Sequence, residues 1–235
     1  MSLCYGKLDA TRSPRLSDLE VYVTGKMPDP PASTPTPAAK WGMDDNDTIG
    51  DCTIAGADHL IAAWNADIST HDPRPDDAEI SSTYFDLTGG ADSGLNEQFV
   101  LKTWQTTGLW GNKIKAFAPF DGNNIRTMHQ VVAFFRGAYL GIQCPLSAQQ
   151  QFANGEPWTF VPGSPIEGGH CIVAVAYGPS SVQCVSWGAV VDVTYSFLSN
   201  YLDESWAIVS QEMAEHNGDG VGLDLASLLT DIEHI

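Results

Sequence analysis

One short stretch, Gly50-Asp51-Cys52-Thr53-Ile54-Ala55-Gly56-Ala57, constrains the fold and the chemistry of this chain more than any other. Asp51 is a natural N-cap, and apolar residues then recur at helical spacing, at Ile54, Ala57, Ile61 and Trp64. Cys52 is therefore predicted to open a helix. Unpaired backbone N–H groups at a helix start favour a thiolate, so Cys52 is a candidate nucleophile. The alternative is a small, buried and inert cysteine.

A second stretch, far along the chain, supplies a histidine. Residues 168–178, Gly-Gly-His-Cys-Ile-Val-Ala-Val-Ala-Tyr-Gly, are typical of a glycine turn that leads into a buried strand. A turn at 179–181 and a second strand at 182–188 follow, and the second strand ends in Ser186-Trp187-Gly188. A cysteine that opens a helix, followed by a histidine that opens a strand and by this hairpin, resembles the papain-like cysteine peptidases. The resemblance spans about 41–211, in the family's order.

The resemblance implies an α+β fold, in which a helical lobe with the cysteine at a helix N-terminus packs against an antiparallel β-sheet lobe. The active-site cleft would lie between the lobes. Cys52 would be the nucleophile and His170 the base, and Asn46 stands where the family carries an oxyanion-hole glutamine. The positions that match the substrate-lining and shielding residues are Ser93, Gly94, Gly169 and Trp187.

The sequence departs from the family at two positions. The asparagine that orients the catalytic histidine is replaced by Val185, which cannot accept a hydrogen bond. Asn46 is one methylene shorter than the family's glutamine. Candidates for the missing partner of His170 are Ser186, Gln183 and Asp192, and the sequence does not choose among them.

Three functions fit these residues. The leading hypothesis is a thiol hydrolase that cleaves peptide or amide bonds through a Cys52–His170 dyad, slowly or with narrow specificity. The alternative is a catalytically reduced protein with a structural or binding role, for example a virion or surface-assembly component. The third is acyl transfer to an amine by the same residues. The vacant asparagine position, the acidic surface, the Pro-rich arm and the extra C-terminal helix favour the second hypothesis. The retained Cys, His and oxyanion donor favour an enzyme.

Composition excludes several partners. The formal net charge of −18 argues against nucleic acid and anionic membrane surfaces. No apolar run is long enough to span a bilayer and no signal peptide is visible, so we expect a cytoplasmic or virion-associated protein of phage or bacterial type. The five cysteines are expected to be reduced. His170 and Cys171 point to opposite faces of a strand and cannot bind one metal, so no metal and no cofactor is predicted.

The chain divides into three predicted regions. Residues 1–40 form an N-terminal arm with a Pro-rich run at 28–37, which either lies over the cleft as a pro-segment or wraps the surface or a neighbouring subunit. Residues 41–216 form the papain-like domain, with a helical lobe at about 41–120 and a β lobe at about 121–216. Residues 217–235 form a C-terminal helical extension after a flexible break at 217–220. The arm or this helix is a possible contact for oligomers or assembly partners.

Periodicity predicts the remaining elements. Helices are expected at 77–87, 95–106 and 125–135, with a short helix capped by Ser147. Strands are expected at 138–143, 190–195 and 205–211, besides the two that flank the 179–181 turn. His59, two turns along the helix from Cys52, is predicted to be structural. Trp64, Trp104 and Trp206 are predicted to be core residues.

Overall fold

A computed structural model describes residues 3–67, 74–215 and 222–235 of this chain. The helices are α1 (Leu19–Tyr22), α2 (Cys52–Asp67), α3 (Asp77–Thr88), α4 (Glu97–Thr106), α5 (Ile125–Phe134), α6 (Leu146–Ala153), α7 (Tyr195–Tyr201), α8 (Gln211–Glu215) and α9 (Leu225–Glu233). The strands are β1 (Ile114–Pro119), β2 (Ala138–Pro145), β3 (Ile166–Tyr177), β4 (Ser181–Ser186), β5 (Ala189–Thr194) and β6 (Leu202–Ser210).

The six strands form one antiparallel sheet in the order β1-β6-β2-β3-β4-β5. Short turns join β3 to β4 and β4 to β5, as the sequence predicted. The last eight residues of β3 are all buried, because helices cover the strand that carries His170. This strand is therefore the rigid platform of the β lobe.

Helix α2 is buried along its first four turns and packs directly on β3. Gly56 permits this close approach, since a Cβ atom there would lie 2.9 Å from the Tyr139 ring and 3.0 Å from the Cys171 sulfur. The hydroxyl of Tyr139 also donates a hydrogen bond to the carbonyl oxygen of Thr53. The N-terminus of α2 is thus fixed against β2 and β3.

Most predicted elements are confirmed, and their ends are shifted. The strand of His170 begins at Ile166 rather than at the histidine, which is its fifth residue. The helix of Ser147 begins at Leu146 and its N-cap is Pro145, so Ser147 is not the cap; its amide instead bonds the Ser164 hydroxyl. The strand predicted at 190–195 ends at Thr194, because this residue is the N-cap of α7.

Strand β1 was not predicted. It lies at an edge of the sheet, pairs with β6, and carries the solvent-facing Lys115 and a terminal proline, all of which weaken the sequence signal of a strand. The boundary drawn at about residue 120 is wrong for this strand, since the segment assigned to the helical lobe contributes 114–119 to the sheet. Helix α5 likewise lies within the segment assigned to the β lobe.

The C-terminal helix α9 and the Pro-rich run, which the sequence suggested as contacts for partners, both pack against the rest of this chain. Leu228 and Ile232 of α9 are buried against α1 and β1 of the same chain, so the apolar face of this helix is already covered. The Pro-rich run lies on α5 and β3: Gln130 donates to the carbonyl oxygens of residues 27 and 28, and Tyr177 to that of Pro31. This part of the arm wraps the surface, as one of the two alternatives proposed. The flexible break predicted at 217–220 lies outside the described residues.

His59 and the tryptophans assigned to the core are buried in the structure. His59 is buried, with Nε2 3.0 Å from the Gly42 carbonyl oxygen and 3.2 Å from Asp44 Oδ2. Burial opposes its charge, but the Asp44 carboxylate outweighs that effect and raises the pKa of His59, which is structural as expected. The three tryptophans predicted for the core are buried, and all five cysteines are free. Within the described ranges, every helix falls short of the length and apolarity that crossing a bilayer requires.

Candidate active site

Cys52 is the first residue of α2, and its side chain is buried. The loop before it turns sharply, with Asp44 and Asp45 both at a φ of 59°, and brings the chain back toward the helix start. The carbonyl oxygen of Asp51 accepts hydrogen bonds from the amides of Ile54 and Ala55. The sulfur of Cys52 in turn accepts a hydrogen bond from the backbone amide of Cys171, at 3.4 Å. The structure thus places the predicted nucleophile against the strand that carries His170.

His170 is fully buried, and two of its neighbours fix the imidazole ring. Trp187 stacks on it with ring centroids 4.5 Å apart and an interplanar angle of 19°. Its Nε2 atom lies 2.9 Å from the hydroxyl oxygen of Ser186. The other ring nitrogen, Nδ1, is buried and has no hydrogen-bond partner within the described part of the chain. One ring nitrogen is therefore held by Ser186, and the other has no partner among the described residues.

Ser186 is the hydrogen-bond partner of His170, a role that the side chain of Val185 cannot fill. Val185 is buried and pairs with Val173 and Val190 in the sheet. Of the three candidates from the sequence, Gln183 and Asp192 bond each other at 2.6 Å on the exposed side of the hairpin, and they do not face His170. The histidine thus has an orienting group, and that group is a neutral hydroxyl.

Asn46 is buried beside the helix start, but its amide is engaged. The Nδ2 atom donates to Asp51 Oδ1 at 3.0 Å and to the Ile49 carbonyl oxygen at 3.5 Å. The side chain of Asp51 therefore holds this loop. It does not cap α2, which is the role that the sequence suggested. Burial raises the pKa of Asp51 to about 8. The oxyanion role of Asn46 stays a prediction, because this conformation directs its amide elsewhere.

Burial sets the protonation of the two predicted catalytic groups. It raises the pKa of the Cys52 thiol to about 12, although the Cys171 amide partly offsets the effect. Burial also lowers the pKa of His170 to about 3. At neutral pH the structure therefore holds both the Cys52 thiol and the His170 imidazole in their neutral forms. A thiolate–imidazolium pair needs water or substrate to reach these groups.

A segment of the chain itself covers this site. Residues 5–8, here called the cleft segment, run between β3 and the loop before α4. The amide of Lys7 donates to the Gly169 carbonyl oxygen at 3.1 Å, the Leu95 amide to Gly6 at 2.8 Å, and the Leu8 amide to Leu95 at 3.0 Å. Tyr5 meets the His170 and Trp187 rings edge-on, at 5.9 Å and 6.1 Å between centroids. The cleft is therefore filled by an extended backbone.

Glycines make room for the cleft segment. A Cβ atom at Gly169 would lie 2.2 Å from the Lys7 carbonyl oxygen, and one at Gly94 2.3 Å from the Gly6 carbonyl oxygen. Both glycines had been predicted to line the substrate cleft, and each contacts the backbone that occupies it. Ser93 is exposed, and the backbone hydrogen bonds come from Leu95 instead. The contacts to the cleft segment therefore come from Gly94 and Leu95, rather than from the predicted positions Ser93 and Gly94.

The sequence offered the arm at 1–40 as a pro-segment over the cleft, but it did not single out residues 5–8 as the part that lies there. Residues 5–8 carry no periodic pattern, and their pairing partners lie about 90 and 160 residues away. No three metal-ligating side chains gather within the ranges that the structure describes.

Solved structures share this arrangement of helices and sheet. Xylellain, a cysteine protease from Xylella fastidiosa, aligns at a TM-score of 0.69 and 16% identity, over 89% of this chain and 97% of that chain. The chain has a papain-like fold. The papain-like neighbours include the Carica candamarcensis cysteine protease CMS1MS2 in complex with E-64, at a TM-score of 0.51 and 14% identity over 77% and 99% of the two chains. A digestive procathepsin L2 proteinase from Tenebrio molitor larval midgut aligns at 0.50 and 11%, over 85% and 69%.

The papain-like fold expected from the two sequence motifs is thereby confirmed. No family model and no curated protein matches the sequence, so the likeness at these identities concerns the fold. The roles of Cys52, His170 and Asn46 remain predictions that rest on the geometry above.

Proposed function

We propose that this chain is a papain-like thiol hydrolase that acts on peptide or amide bonds, with Cys52 as the nucleophile and His170 as the base. One observation carries the proposal: His170 is held through Nε2 by Ser186, while its buried Nδ1 is unpartnered, and the next residue contacts the Cys52 sulfur. A general base needs such an orientation, with one nitrogen fixed and the other free. The protease neighbours support the same reaction class.

The proposed reaction needs Cys52, His170, an oxyanion donor and a water molecule. The Cys52 thiol passes its proton to His170 Nδ1, and the sulfur attacks the carbonyl carbon. The backbone N–H of Cys52 stabilises the oxyanion, together with Asn46 if its amide turns away from Asp51. The imidazolium then protonates the leaving amine, the C–N bond breaks, and water hydrolyses the thioester. An amine in place of that water would give acyl transfer.

The cleft segment keeps the site latent in this proposal. It excludes water from Cys52 and His170, and burial is the main cause of the shifts that keep both groups neutral. Movement of residues 5–8 out of the cleft would hydrate both groups, favour the ion pair and open the cleft to a peptide. A neutral serine orients a histidine less strongly than a charged partner does, so we expect slow or narrowly specific hydrolysis.

Gly6→Ala in the full chain tests the proposal. A Cβ atom at Gly6 would lie 1.6 Å from the Gly50 carbonyl oxygen, so the cleft segment cannot stay in place. Iodoacetamide should then alkylate Cys52 faster than in the parent chain and ahead of the other four cysteines, and a mixed peptide library should be cleaved. Adding His170→Ala should abolish both effects. Gly178→Ala is the matched control, because a Cβ there contacts nothing.

A binding or structural role is the second candidate. The filled cleft and the engaged amide of Asn46 favour it, since both describe a site that is closed in this structure. If Gly6→Ala folds and releases the cleft segment, yet Cys52 reacts no faster than the other cysteines and no peptide is cleaved, the hydrolase is excluded in favour of this role.

A further inference from the structure

The cleft segment carries a lysine whose side chain is completely buried. The Nζ atom of Lys7 lies 3.0 Å from Asp203 Oδ2 and 3.1 Å from Glu204 Oε1, and it donates to the Leu8 carbonyl oxygen at 3.1 Å. Burial alone would lower the pKa of this ammonium, but Glu204, Glu97 and Asp203 outweigh it and raise the pKa. A charged lysine is therefore stably held inside the cleft.

The pocket around this lysine is built from separate elements. Glu97 opens α4, Asp203 and Glu204 lie on β6, and Gly141 of β2 forms the floor. A Cβ atom at Gly141 would lie 2.1 Å from the Lys7 Cε atom and 2.9 Å from Glu97 Oε1, so a glycine is required for the lysine stem to pass. These four residues, Glu97, Gly141, Asp203 and Glu204, are here called the lysine pocket.

The lysine pocket holds more carboxyl groups than one ammonium can pair with. Burial raises the pKa of Glu97 well above its usual value, so Asp203 and Glu204 are the groups that pair with Lys7. Three carboxyl groups face one ammonium, and neither oxygen of Glu97 makes a hydrogen bond of ordinary geometry among the described residues. The groups that favour the charged form of Glu97 are the Lys7 ammonium and the thiol of Cys171, which is a weak donor. The side chain of Asp203 keeps 21% of its surface exposed, so the pocket has a mouth. Without Lys7 the carboxyl groups of Asp203 and the half-buried Glu204 would lose the cation with which they pair.

We propose that the lysine pocket is a specificity site that binds a lysine side chain of the peptide substrate, and that Lys7 occupies it as an internal stand-in. The inference rests on the proposed hydrolase and adds its substrate class. It follows from position as well as charge, because Lys7 belongs to the backbone that fills the cleft beside Cys52. The narrow passage at Gly141 favours the slim lysine stem over a guanidinium.

Matched covalent probes test this preference in the full-length Gly6→Ala chain. Tripeptide chloromethyl ketones alkylate a thiolate by losing chloride, and lysine can be exchanged for norleucine at each of the three positions in turn. At one position we expect the lysine probe to label Cys52 about tenfold faster or more, the difference made by about 1.4 kcal/mol. Asp203→Asn with Glu204→Gln should remove the preference, whereas Glu233→Gln on the exposed end of α9 should keep it. Equal labelling at all three positions, or a preference that survives the double variant, would overturn the proposal.

A second measurement does not depend on catalysis. The Gly6→Ala, Lys7→Met chain releases the cleft segment and leaves the pocket without its cation, so N-acetyl-lysine methylamide should raise its melting temperature more than the norleucine analogue does. The parent chain should show no such difference. If Cys52 is inert in every chain, the hydrolase fails, and this binding result alone decides the pocket: a lysine-specific shift supports it, and equal shifts refute it.

Discussion

The hydroxyl of Ser186 lies 2.9 Å from Nε2 of His170, and it holds the ring although the preceding residue is a valine. The two side chains sit on neighbouring strands of one hairpin, so the sheet fixes their distance. Trp187, next in the chain, stacks on the same ring at a φ of 46°. The left-handed turn at this tryptophan thus places two consecutive residues on the imidazole.

Removing the Ser186 hydroxyl should slow the chemistry. In the Gly6→Ala background, we expect Ser186→Ala to lower peptide hydrolysis and Cys52 alkylation by about tenfold, because a buried hydrogen bond of about 1.4 kcal/mol orients the base. Ser186→Thr keeps the hydroxyl and should retain most of the rate. Ser199→Ala, at an exposed position on α7, is the control. Unchanged rates in Ser186→Ala would show that this contact does not position His170.

Restoring the asparagine expected from the family should not help. Val185 is buried between Val173 and Val190, and the ring nitrogen that an amide could hold is already paired with Ser186. We expect Val185→Asn to leave the hydrolysis rate unchanged or lower, and to cost about 1–3 kcal/mol of unfolding free energy, because it buries an unpaired amide. Urea denaturation measures the cost. A faster, equally stable variant would mean that Ser186 is an inadequate partner.

Gly56→Ala should destabilise the chain although alanine is the better helix former. The new Cβ atom would stand 2.9 Å from the Tyr139 ring and 3.0 Å from the Cys171 sulfur, and the overpacking should cost about 1–3 kcal/mol. Chemical denaturation is the measurement, with Gly178→Ala as the control. A stabilised Gly56→Ala chain would show that α2 can move away from β3 at little cost.

Asp51 should make the folded state less stable as the pH rises. Burial raises its pKa from 3.8 to about 8, so the folded chain keeps a proton that the unfolded chain has lost. The associated stability is complete below pH 3.8 and disappears as the pH rises through about 8. Between about pH 5 and 8, where the folded chain keeps the Asp51 proton and the unfolded chain has lost it, Asp51→Asn should flatten the decline in unfolding free energy. Parallel curves for the two chains would contradict the protonated Asp51.

Local patterns were enough to predict the parts of the site that depend on one element. Cys52 begins a helix because small and apolar residues follow it at helical spacing, and His170 lies on a strand because the residues after it form an apolar run. The glycines at 94 and 169 were found through the resemblance to the papain-like peptidases, since they match the family's substrate-lining positions.

The pairings between elements could not be predicted in the same way. The choice of Ser186 over Gln183 or Asp192 depends on the register of β3 with β4, which shifts by a bulge between Ala174 and Ala176. The position of residues 5–8 depends on contacts with Leu95 and Gly169, which no spacing rule connects to them. Edge strand β1 was missed for a related reason, as its partner β6 follows about 90 residues later.

The strand order has a consequence for how this chain folds. β6 lies between β1 and β2, so β1 has no neighbour in the sheet until residues 202–210 have been synthesised. Closing such a long loop is entropically expensive, and topologies rich in distant pairings fold slowly. On the ribosome, α2 therefore emerges with Cys52 at its start long before the sheet can close. During that interval the apolar side chains of α2 lack the closed sheet against which they are buried in the folded chain.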